Sequence, residues 1–239
     1  MRWLLLIVSC WLAALARADI VVGFGVNKPP YVFEQGRAGL EYDIVMASFA
    51  AVGVSAQPYF APQGRLHALL GNRLIDVITT TSEQSGIEAY YSDVYIVYQN
   101  YAITLSDRHL DIHTIDDLSR YSVTAFQRAS TNLGPQFRAA VAKSPQYTEQ
   151  AKQVTRDILL FAGRVDVAVA DRRIFDYFRQ EIGSLVDIRQ AVTYHAIFPP
   201  TPYRAAFRDE ALRDSFNRGL ATIRRNGSYD EIQRRYAGY

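Results

Sequence analysis

The chain has 239 residues, with 26 Lys and Arg against 24 Asp and Glu, one Cys and two Trp. Its length suits one to two domains with a sizeable core, and a single cysteine excludes a disulfide scaffold, a zinc–thiolate site and an iron–sulfur cluster. A net charge of +2 with no block of Lys and Arg argues against a nucleic-acid partner.

The N-terminal segment 1–18 predicts a secretory signal peptide. It starts with the basic Arg2, continues with an uncharged run over 3–16 and ends in the small-x-small sequence Ala-Arg-Ala at 16–18. The run is too short for a transmembrane helix, which needs about 20 apolar residues. Cleavage would start the mature chain at Asp19, remove the Cys and both Trp, and leave equal numbers of basic and acidic residues.

A second interpretation of this segment is a lipobox over 7–10, which would acylate Cys10 and tether the protein to a membrane. Only nine residues precede Cys10, and the apolar run continues beyond it to Ala16. We therefore expect cleavage and soluble release. No second long apolar run follows, so we expect the mature chain to be soluble.

Strand and helix patterns alternate through the first half of the mature chain. β-Branched and apolar runs predict strands, and apolar residues at helical spacing followed by Gly predict helices. In chain order, the predicted elements are a strand over 19–25, a helix over 40–51, a short helix over 65–70, a strand over 74–79 and a long extended stretch over 95–105. This order indicates an α/β fold whose parallel strands are joined by crossover helices.

The second half repeats this architecture without repeating the sequence. The predicted elements are a strand over 122–126, a helix with Ser130 as N-cap, a helix over 153–161, a strand over 165–170, a helix starting at 172 and a strand over 186–193. The tail carries the clearest helical pattern, because Leu212, Phe216, Leu220 and Ile223 share one helix face.

Several segments together resemble one family of known proteins. They are KPPYVFEQG after the first strand, GLEYDIVMASFAAVG on the first helix, GNRLIDVITTT, GRVDVAVAD and the terminal LRDSFNRGLATIRRNGSYDEIQRRY. Their order and spacing are similar to those of the periplasmic solute-binding proteins of family 3, which serve amino-acid and related ABC importers. The resemblance covers essentially the whole mature chain.

The resemblance implies the type II periplasmic binding protein fold, in which two α/β lobes joined by a two-strand hinge hold a ligand in the cleft between them. The first lobe of this fold is discontinuous, which agrees with tail helices that follow a second α/β half. We expect lobe 1 over 19–105 and 200–239 and lobe 2 over 106–199. The crossings are expected near 104–108 and 197–202.

Polar residues at predicted strand ends are the first candidates for ligand contacts, because such ends in a cleft favour small polar ligands. Thr80, Thr81 and Ser82 belong to a run of hydroxyls at a strand end, where the resemblance implies contact with ligand. Tyr31 would form an aromatic lid, and the resemblance implies that Asp171 receives a ligand amino group. The alternatives are a solvated turn, loop packing and a helix cap, respectively.

A cation that would bind a ligand carboxylate is missing from its usual place. Amino-acid binders of this family carry an Arg a few residues after the hydroxyl run, whereas this chain has no Lys or Arg over 74–107. Lys28, Arg65 and Arg128 are the candidate substitutes, since an Arg can hold a carboxylate bidentately. Gln127 precedes Arg128 in a strand-to-helix loop that we expect to face the cleft. The alternative for either Arg is an ordinary surface position.

These features predict a soluble periplasmic protein that captures a small polar ligand, an amino acid or a related compound, for an inner-membrane ABC permease. The first alternative is a sensing module for a membrane receptor. The second is a cyclohexadienyl-dehydratase-like enzyme, which the missing Arg disfavours, because that chemistry needs a carboxylate clamp and a general acid. We expect a monomer that is not an enzyme and uses no cofactor or metal, since the four His residues show no metal-ligand spacing.

Overall fold

The computed structural model describes residues 19–26 and 28–239, and the predicted signal peptide with Cys10 lies outside the described residues. The strands are β1 Ile20–Gly25, β2 Ala56–Ala61, β3 Val77–Thr81, β4 Tyr90–Tyr91, β5 Ile96–Tyr98, β6 Asn100–Leu105, β7 Val123–Phe126, β8 Tyr147–Gln150, β9 Val167–Asp171, β10 Val192–His195 and β11 Thr201–Phe207. The helices are α1 Leu40–Ala50, α2 Gln63–Gly71, α3 Ala129–Asn132, α4 Gly134–Val141, α5 Gln153–Phe161, α6 Arg172–Glu181, α7 Glu210–Arg225 and α8 Ser228–Arg235. Within these ranges, no helix combines the length and the apolar character needed to cross a bilayer.

Six strands form the first sheet, in the order β2-β1-β3-β11-β4, with β5 paired to β11. β1 runs parallel to β2 and β3, whereas β11 runs antiparallel to β3, β4 and β5. The sequence of β1 is apolar and β-branched, and its Val22 and Phe24 are fully buried. Together with α1, α2, α7 and α8, this sheet forms the first lobe.

The second sheet has five strands in the order β10-β6-β9-β7-β8. β7 is parallel to β8 and β9, and β6 is antiparallel to β9 and β10. Every residue of β9 is buried, because apolar clusters cover both faces of the sheet. With helices α3 to α6 this sheet forms the second lobe. The two lobes confirm the predicted two-lobed α/β architecture.

The chain passes between the two sheets twice. β5 pairs in the first sheet and β6 in the second, so the first crossing is at Gln99. The second crossing lies over 196–200, between β10 and β11. The sequence analysis assigns Asn100–Leu105 to lobe 1, but this strand pairs in the second sheet, since nothing in one continuous extended run marks a change of sheet. We propose that these two crossings form the hinge.

The tail helix α7 packs its predicted apolar face against α1. Phe216, Leu220 and Ile223 of that face are buried. Gly219 lies at the closest approach of the two helices, where a Cβ would be 1.9 Å from the Ser48 carbonyl oxygen. The packing of this helix pair therefore requires glycine at position 219.

Helix α6 of the second lobe packs against the first lobe. Its Ile174 and Phe178 belong to the same buried apolar cluster as Tyr31, from the loop after β1. On the same side, the rings of Phe33 and Tyr177 meet edge-on, with centroids 5.9 Å apart. The lobes are thus in direct contact, and they enclose the space between them.

Candidate functional site

A cavity lies between the two lobes, and the interface between domains is a preferred position for small-molecule sites. The first lobe contributes Lys28 and Thr80 to its wall, and the second contributes Gln127, Arg156 and Asp171. Thr80 and Asp171 lie at the ends of β3 and β9, so these two strand ends converge on the cavity. No group of three His, Cys, Asp or Glu residues that could hold a metal ion occurs in the described part of the chain.

A buried ion pair joins Lys28 of the first-lobe wall to Glu41 behind it. Lys28 Nζ lies 2.8 Å from Glu41 Oε2, and the two side chains are 7% and 0% exposed. Lys28 also donates to Thr80 Oγ1, and its Nζ lies 5.4 Å from the centre of the Tyr98 ring. Glu41 accepts three further hydrogen bonds: from Thr80 Oγ1 at 2.5 Å, Tyr95 OH at 2.7 Å and Tyr98 OH at 2.5 Å.

Local backbone structure brings this cluster together. Glu41 sits in the first turn of α1, where free N–H groups and the helix dipole favour a carboxylate. Thr80 has a φ of 53°, a left-handed conformation that is uncommon for a β-branched residue. Its N–H donates to Tyr95 OH at 2.9 Å, while its hydroxyl joins the ion pair. Hydrogen bonds at both of these groups stabilise the unusual backbone at the end of β3.

Burial acts on both members of the ion pair, but their pKa values respond to different partners. Burial alone raises the pKa of Glu41, and the Lys28 charge with the hydrogen bonds from Lys28, Thr80 and Tyr98 outweighs it, so the pKa falls below its ordinary value. Burial lowers the pKa of Lys28, against the raising effect of the Glu41 and Asp171 charges. Glu41 is therefore an ionised group committed to protein contacts. Its contact and the one to Thr80 occupy two of the three Lys28 ammonium protons.

Asp171, predicted to receive a ligand amino group, lines the cavity but is already saturated by protein donors. Its Oδ1 caps α6 by accepting from the N–H groups of Arg173 and Ile174 at 3.0 and 3.3 Å. Its Oδ2 accepts from the Gln99 N–H at 3.0 Å and the Tyr31 hydroxyl at 3.1 Å. A carboxylate offers about four acceptor positions. This geometry supports the helix-cap interpretation and leaves no acceptor position for a ligand ammonium.

Tyr31, predicted to form a lid, connects the lobes instead of lining the cavity. Its ring stacks on Tyr98 with centroids 3.9 Å apart, and its hydroxyl reaches Asp171 in the second lobe. Tyr98, the outer ring of this stack, lines the cavity in its place. Tyr98 therefore forms the aromatic surface of the cavity, and Tyr31 stacks behind it.

Arg156, on α5, is the arginine among the residues that line the cavity, and it is 1% exposed. Its Nη1 donates to Gln153 Oε1 at 2.8 Å, whereas its Nε and Nη2 have no hydrogen-bond partner among the described residues. The adjacent Asp157 is fully buried, and its Oδ1 lies 3.4 Å from Arg156 Nε without the alignment of a hydrogen bond. Burial raises the pKa of Asp157 to about 7, against the lowering effect of Arg156.

The three remaining polar and cationic candidates predicted from the sequence, Gln127, Arg128 and Arg65, occupy different positions. Gln127 lines the cavity and accepts a hydrogen bond from the Gly64 N–H at 3.3 Å, which joins the lobes. Arg128 is half-buried outside the cavity and donates to the Ser85 carbonyl at 3.2 Å. Arg65 is exposed on α2 and lies away from the cavity. The geometry therefore supports neither Arg65 nor Arg128 as the cation of the cavity wall.

The predicted hydroxyl run separates into three environments. Thr80 reaches the cavity wall, as described above. Thr81 is buried, and its hydroxyl has no partner within the described part of the chain. Ser82 lines a neighbouring cavity that it shares with Arg204. The three hydroxyls therefore do not share one environment, and Thr80 is the one that reaches the cavity between the lobes.

The helix start after β7 is capped by a different residue from the one predicted. α3 begins at Ala129, and Ser130 is inside it, so the prediction of Ser130 as N-cap was wrong. Glu149 of β8 accepts from the backbone N–H groups of Arg128 and Ser130, at 2.6 and 2.9 Å, and from the Ser130 hydroxyl at 2.7 Å. A carboxylate from a neighbouring strand thus binds the free N–H groups that a local cap would have satisfied.

Sequence reasoning missed the two charged groups that distinguish this cavity, Glu41 and Arg156. An acidic residue in a first helical turn is ordinary, so Glu41 gave no signal. Arg156 and Asp157 did give one, because they stand four residues before Leu160 and Phe161. That spacing puts the charged pair on the buried face of α5.

Several solved structures are similar to this chain along nearly its whole length. A histidine kinase sensor domain with similarity to periplasmic binding proteins is 20% identical, with a TM-score of 0.79, and the match covers 92% of this chain and 96% of that one. An arginine-, lysine-, histidine-binding protein from the thermophilic bacterium Geobacillus stearothermophilus is 19% identical, with a TM-score of 0.73 and coverages of 93% and 96%. An ancestral amino acid-binding protein, a precursor of cyclohexadienyl dehydratase, is 19% identical, with a TM-score of 0.70 and coverages of 91% and 94%. At these identities the likeness shows the fold alone.

Sequence comparison identifies the family. No curated protein matches the chain significantly. The sequence profile of the bacterial extracellular solute-binding proteins, family 3, matches residues 20–239. The match spans both lobes and every element that surrounds the cavity, in agreement with the resemblance seen in the sequence. The chain therefore belongs to the bacterial extracellular solute-binding proteins, family 3.

Proposed function

We propose that this protein captures a small polar solute between its lobes in the periplasm and presents the closed form to an inner-membrane ABC importer. The observation that carries the proposal is the cavity between the lobes, to whose wall both lobes contribute polar side chains. A ligand held there contacts both lobes at once. Export by the signal peptide predicted over 1–18 would bring the protein to the compartment where such an importer collects its solutes.

Ligand-dependent closure requires contacts that exist only when the lobes meet. Three hydrogen bonds across the cleft meet this requirement: Tyr31 to Asp171, the Gly64 N–H to Gln127, and Arg128 to the Ser85 carbonyl. A solute shifts the population towards the closed form only to the extent that it binds that form better than the open one. A solute bridging the cavity would do so, because half of its contacts are missing when the lobes separate.

The test combines a thermal-melt screen with small-angle scattering on protein purified after expression of the full chain. The protein is unfolded and refolded to remove carried solutes, and then mixed with amino acids, organic acids, short peptides, polyamines and sugars. A ligand at about 100 times its dissociation constant should stabilise by roughly 2.7 kcal/mol, or about 5–10 °C in Tm for a chain of this size. The same solute should decrease the radius of gyration.

A matched pair of variants controls this experiment. Gln127→Ala removes a cavity and cleft contact and should weaken the response, whereas Gln35→Ala changes an exposed loop residue and should not. If no solute in the panel changes either the Tm or the radius of gyration, the proposed function is wrong.

A sensing role is the second candidate, and the likeness to a histidine kinase sensor domain favours it. The same closing movement could be read by a receptor instead of a permease. Deleting the gene separates the roles once the solute is known. Loss of uptake of the labelled solute supports import, whereas normal uptake with a lost transcriptional response supports sensing.

Catalysis is the third candidate, raised by the likeness to a precursor of cyclohexadienyl dehydratase. Dehydration needs a general acid within reach of its substrate. Among the described residues, the acid in the cavity wall is Asp171, which already accepts from four protein donors. We therefore expect the purified protein not to convert prephenate, and turnover of prephenate would reverse this conclusion.

A further inference from the structure

We infer that the solute bound in this cleft is a small carboxylic acid without an ammonium group, and that Arg156 of the second lobe holds its carboxylate. This inference rests on the proposed function, since it names the class of solute that the same cavity binds. It explains how the chain can bind a carboxylate although 74–107 holds no Lys or Arg.

The first step is the state of Arg156. Its side chain is 1% exposed and lines the cavity, and two of its three nitrogens lack a hydrogen-bond partner in the described ranges. A buried donor without an acceptor is unfavourable. A carboxylate offers two oxygens in the planar geometry that matches a guanidinium. An acidic group in the cavity would therefore satisfy the donors that the protein leaves unpaired.

The second step is that Asp157 cannot already fill this role. It follows Arg156 directly on α5, and neighbouring helix residues do not face each other. The 3.4 Å approach of its Oδ1 to Arg156 Nε lacks hydrogen-bond alignment, and both of its oxygens are unpartnered among the described residues. Asp157 is also not part of the cavity wall. It balances the Arg156 charge without occupying its donors.

The third step concerns the first lobe. Lys28 lines the cavity, and its contacts with Glu41 and Thr80 use two of its three ammonium protons. The remaining proton can serve one further oxygen of the solute. The wall thus provides donors from both lobes, which suits an acid with a second oxygen group, such as a hydroxy, keto or dicarboxylic acid.

The fourth step is the lack of a carboxylate that could receive an ammonium group. Glu41 is fully buried behind the wall and accepts from four donors. Asp171 is in the wall, but four donors occupy it as well. An α-ammonium in this cavity would lose its water and find the oxygens of both carboxylates already accepting hydrogen bonds from the protein. An amino acid should therefore bind more weakly than the acid that lacks its amino group.

The test uses matched pairs of solutes, measured by calorimetry on protein purified from the full chain. The pairs are lactate and pyruvate against alanine, succinate against aspartate, and 2-oxoglutarate against glutamate. We expect the acid of at least one pair to bind ten times or more tightly than its amino counterpart. Arg156→Gln should weaken that binding about a hundredfold, because a charge-assisted bidentate contact is lost.

Two further variants keep the test decisive. Arg156→Lys retains the positive charge but cannot form the bidentate contact, so its affinity for the carboxylate should lie between those of the parent and Arg156→Gln. This variant provides the test if Arg156→Gln does not fold. Arg164→Gln changes an exposed arginine just beyond the same helix and should leave the affinity unchanged.

The inference and the proposed function fail in different ways. If an amino acid binds more tightly than its deaminated counterpart, or if Arg156→Gln leaves carboxylate binding unchanged, this inference is wrong while capture of a solute stands. A sugar or a polyamine as the tightest ligand leads to the same conclusion. If no solute of any class binds or closes the lobes, both fail.

Discussion

Replacing Glu41 with Gln tests whether the buried ion pair stabilises the first lobe. Glu41 is 0% exposed and accepts from Lys28, Thr80, Tyr95 and Tyr98. An amide would leave the Lys28 ammonium buried without its countercharge and would present an NH₂ group to hydroxyls that now donate. Removing one partner of a buried ion pair destabilises a protein by about 3–5 kcal/mol. Since 1 kcal/mol shifts the Tm of a chain of this size by about 2–4 °C, we expect the Tm to fall by roughly 6–20 °C.

Thermal and urea unfolding, followed by circular dichroism, measure this loss. Glu88→Gln is the matched control, because Glu88 is exposed and its replacement should change the free energy of unfolding by less than about 0.5 kcal/mol. The double variant Lys28→Met with Glu41→Gln should recover part of the loss, since no charge stays buried without a partner and the amide oxygen can still accept from the hydroxyls. A loss below about 1 kcal/mol for Glu41→Gln, or a double variant no more stable than it, would refute the reasoning.

Three further predictions follow from other parts of the molecule. Burial raises the pKa of Asp157 to about 7, with Arg156 opposing and Asp176 adding to the shift. Because a bound carboxylate beside Arg156 favours protonated Asp157, the affinity of the protein for that carboxylate should fall several-fold from pH 6 to pH 8 in calorimetry. Asp157→Asn should remove this pH dependence. Gly219→Ala should destabilise the fold by about 1–3 kcal/mol or more in urea unfolding, because the added Cβ would lie 1.9 Å from a backbone carbonyl oxygen. Gly71→Ala is the control and should be neutral or slightly stabilising, since a Cβ there has no atom within 4 Å. Equal effects of the two substitutions would contradict the packing argument. Intact-mass measurement of the exported protein should match residues 19–239 without lipid, and a lipid adduct would support the lipobox.

The fold is predictable from the sequence where local patterns and tertiary packing agree. The helix predicted over 153–161 has those bounds in the structure, and the face predicted for the tail helix is the one that α7 buries. The sequence analysis did not predict β2 and β11, each of which contains a proline, Pro58 and Pro202. In a sequence, proline argues against a strand. In the structure, however, β2 is an edge strand, and Pro202 is the second residue of β11. Strand position, which the sequence does not reveal, makes both tolerable.

The site is less predictable than the fold because its polar groups are shared among distant segments. Asp171 was recognised as a strand-end acid, but its saturation depends on donors from the crossing at Gln99 and from Tyr31, 140 residues earlier in the chain. Lys28 was recognised as a spare cation, but its pairing with Glu41 depends on how the loop after β1 meets the start of α1. Residue type and spacing thus indicated several residues that line the cavity. Whether the hydrogen-bonding groups of each residue are already paired depends on tertiary contacts.

The division of charge between the lobes determines how a carboxylate would be captured. In the first lobe, the Lys28 charge is balanced within the lobe by Glu41. In the second, Arg156 keeps two nitrogens without partners among the described residues. On the inference above, the solute binds the second lobe first, through charge-assisted contacts, and the first lobe then covers it with the remaining Lys28 proton and with hydroxyl and aromatic groups. Attraction between an ion and an open lobe is screened by salt, whereas contacts in a covered cleft are screened much less. Salt should therefore slow association more strongly than it speeds dissociation, and the opposite pattern in stopped-flow measurements would contradict this order of contacts.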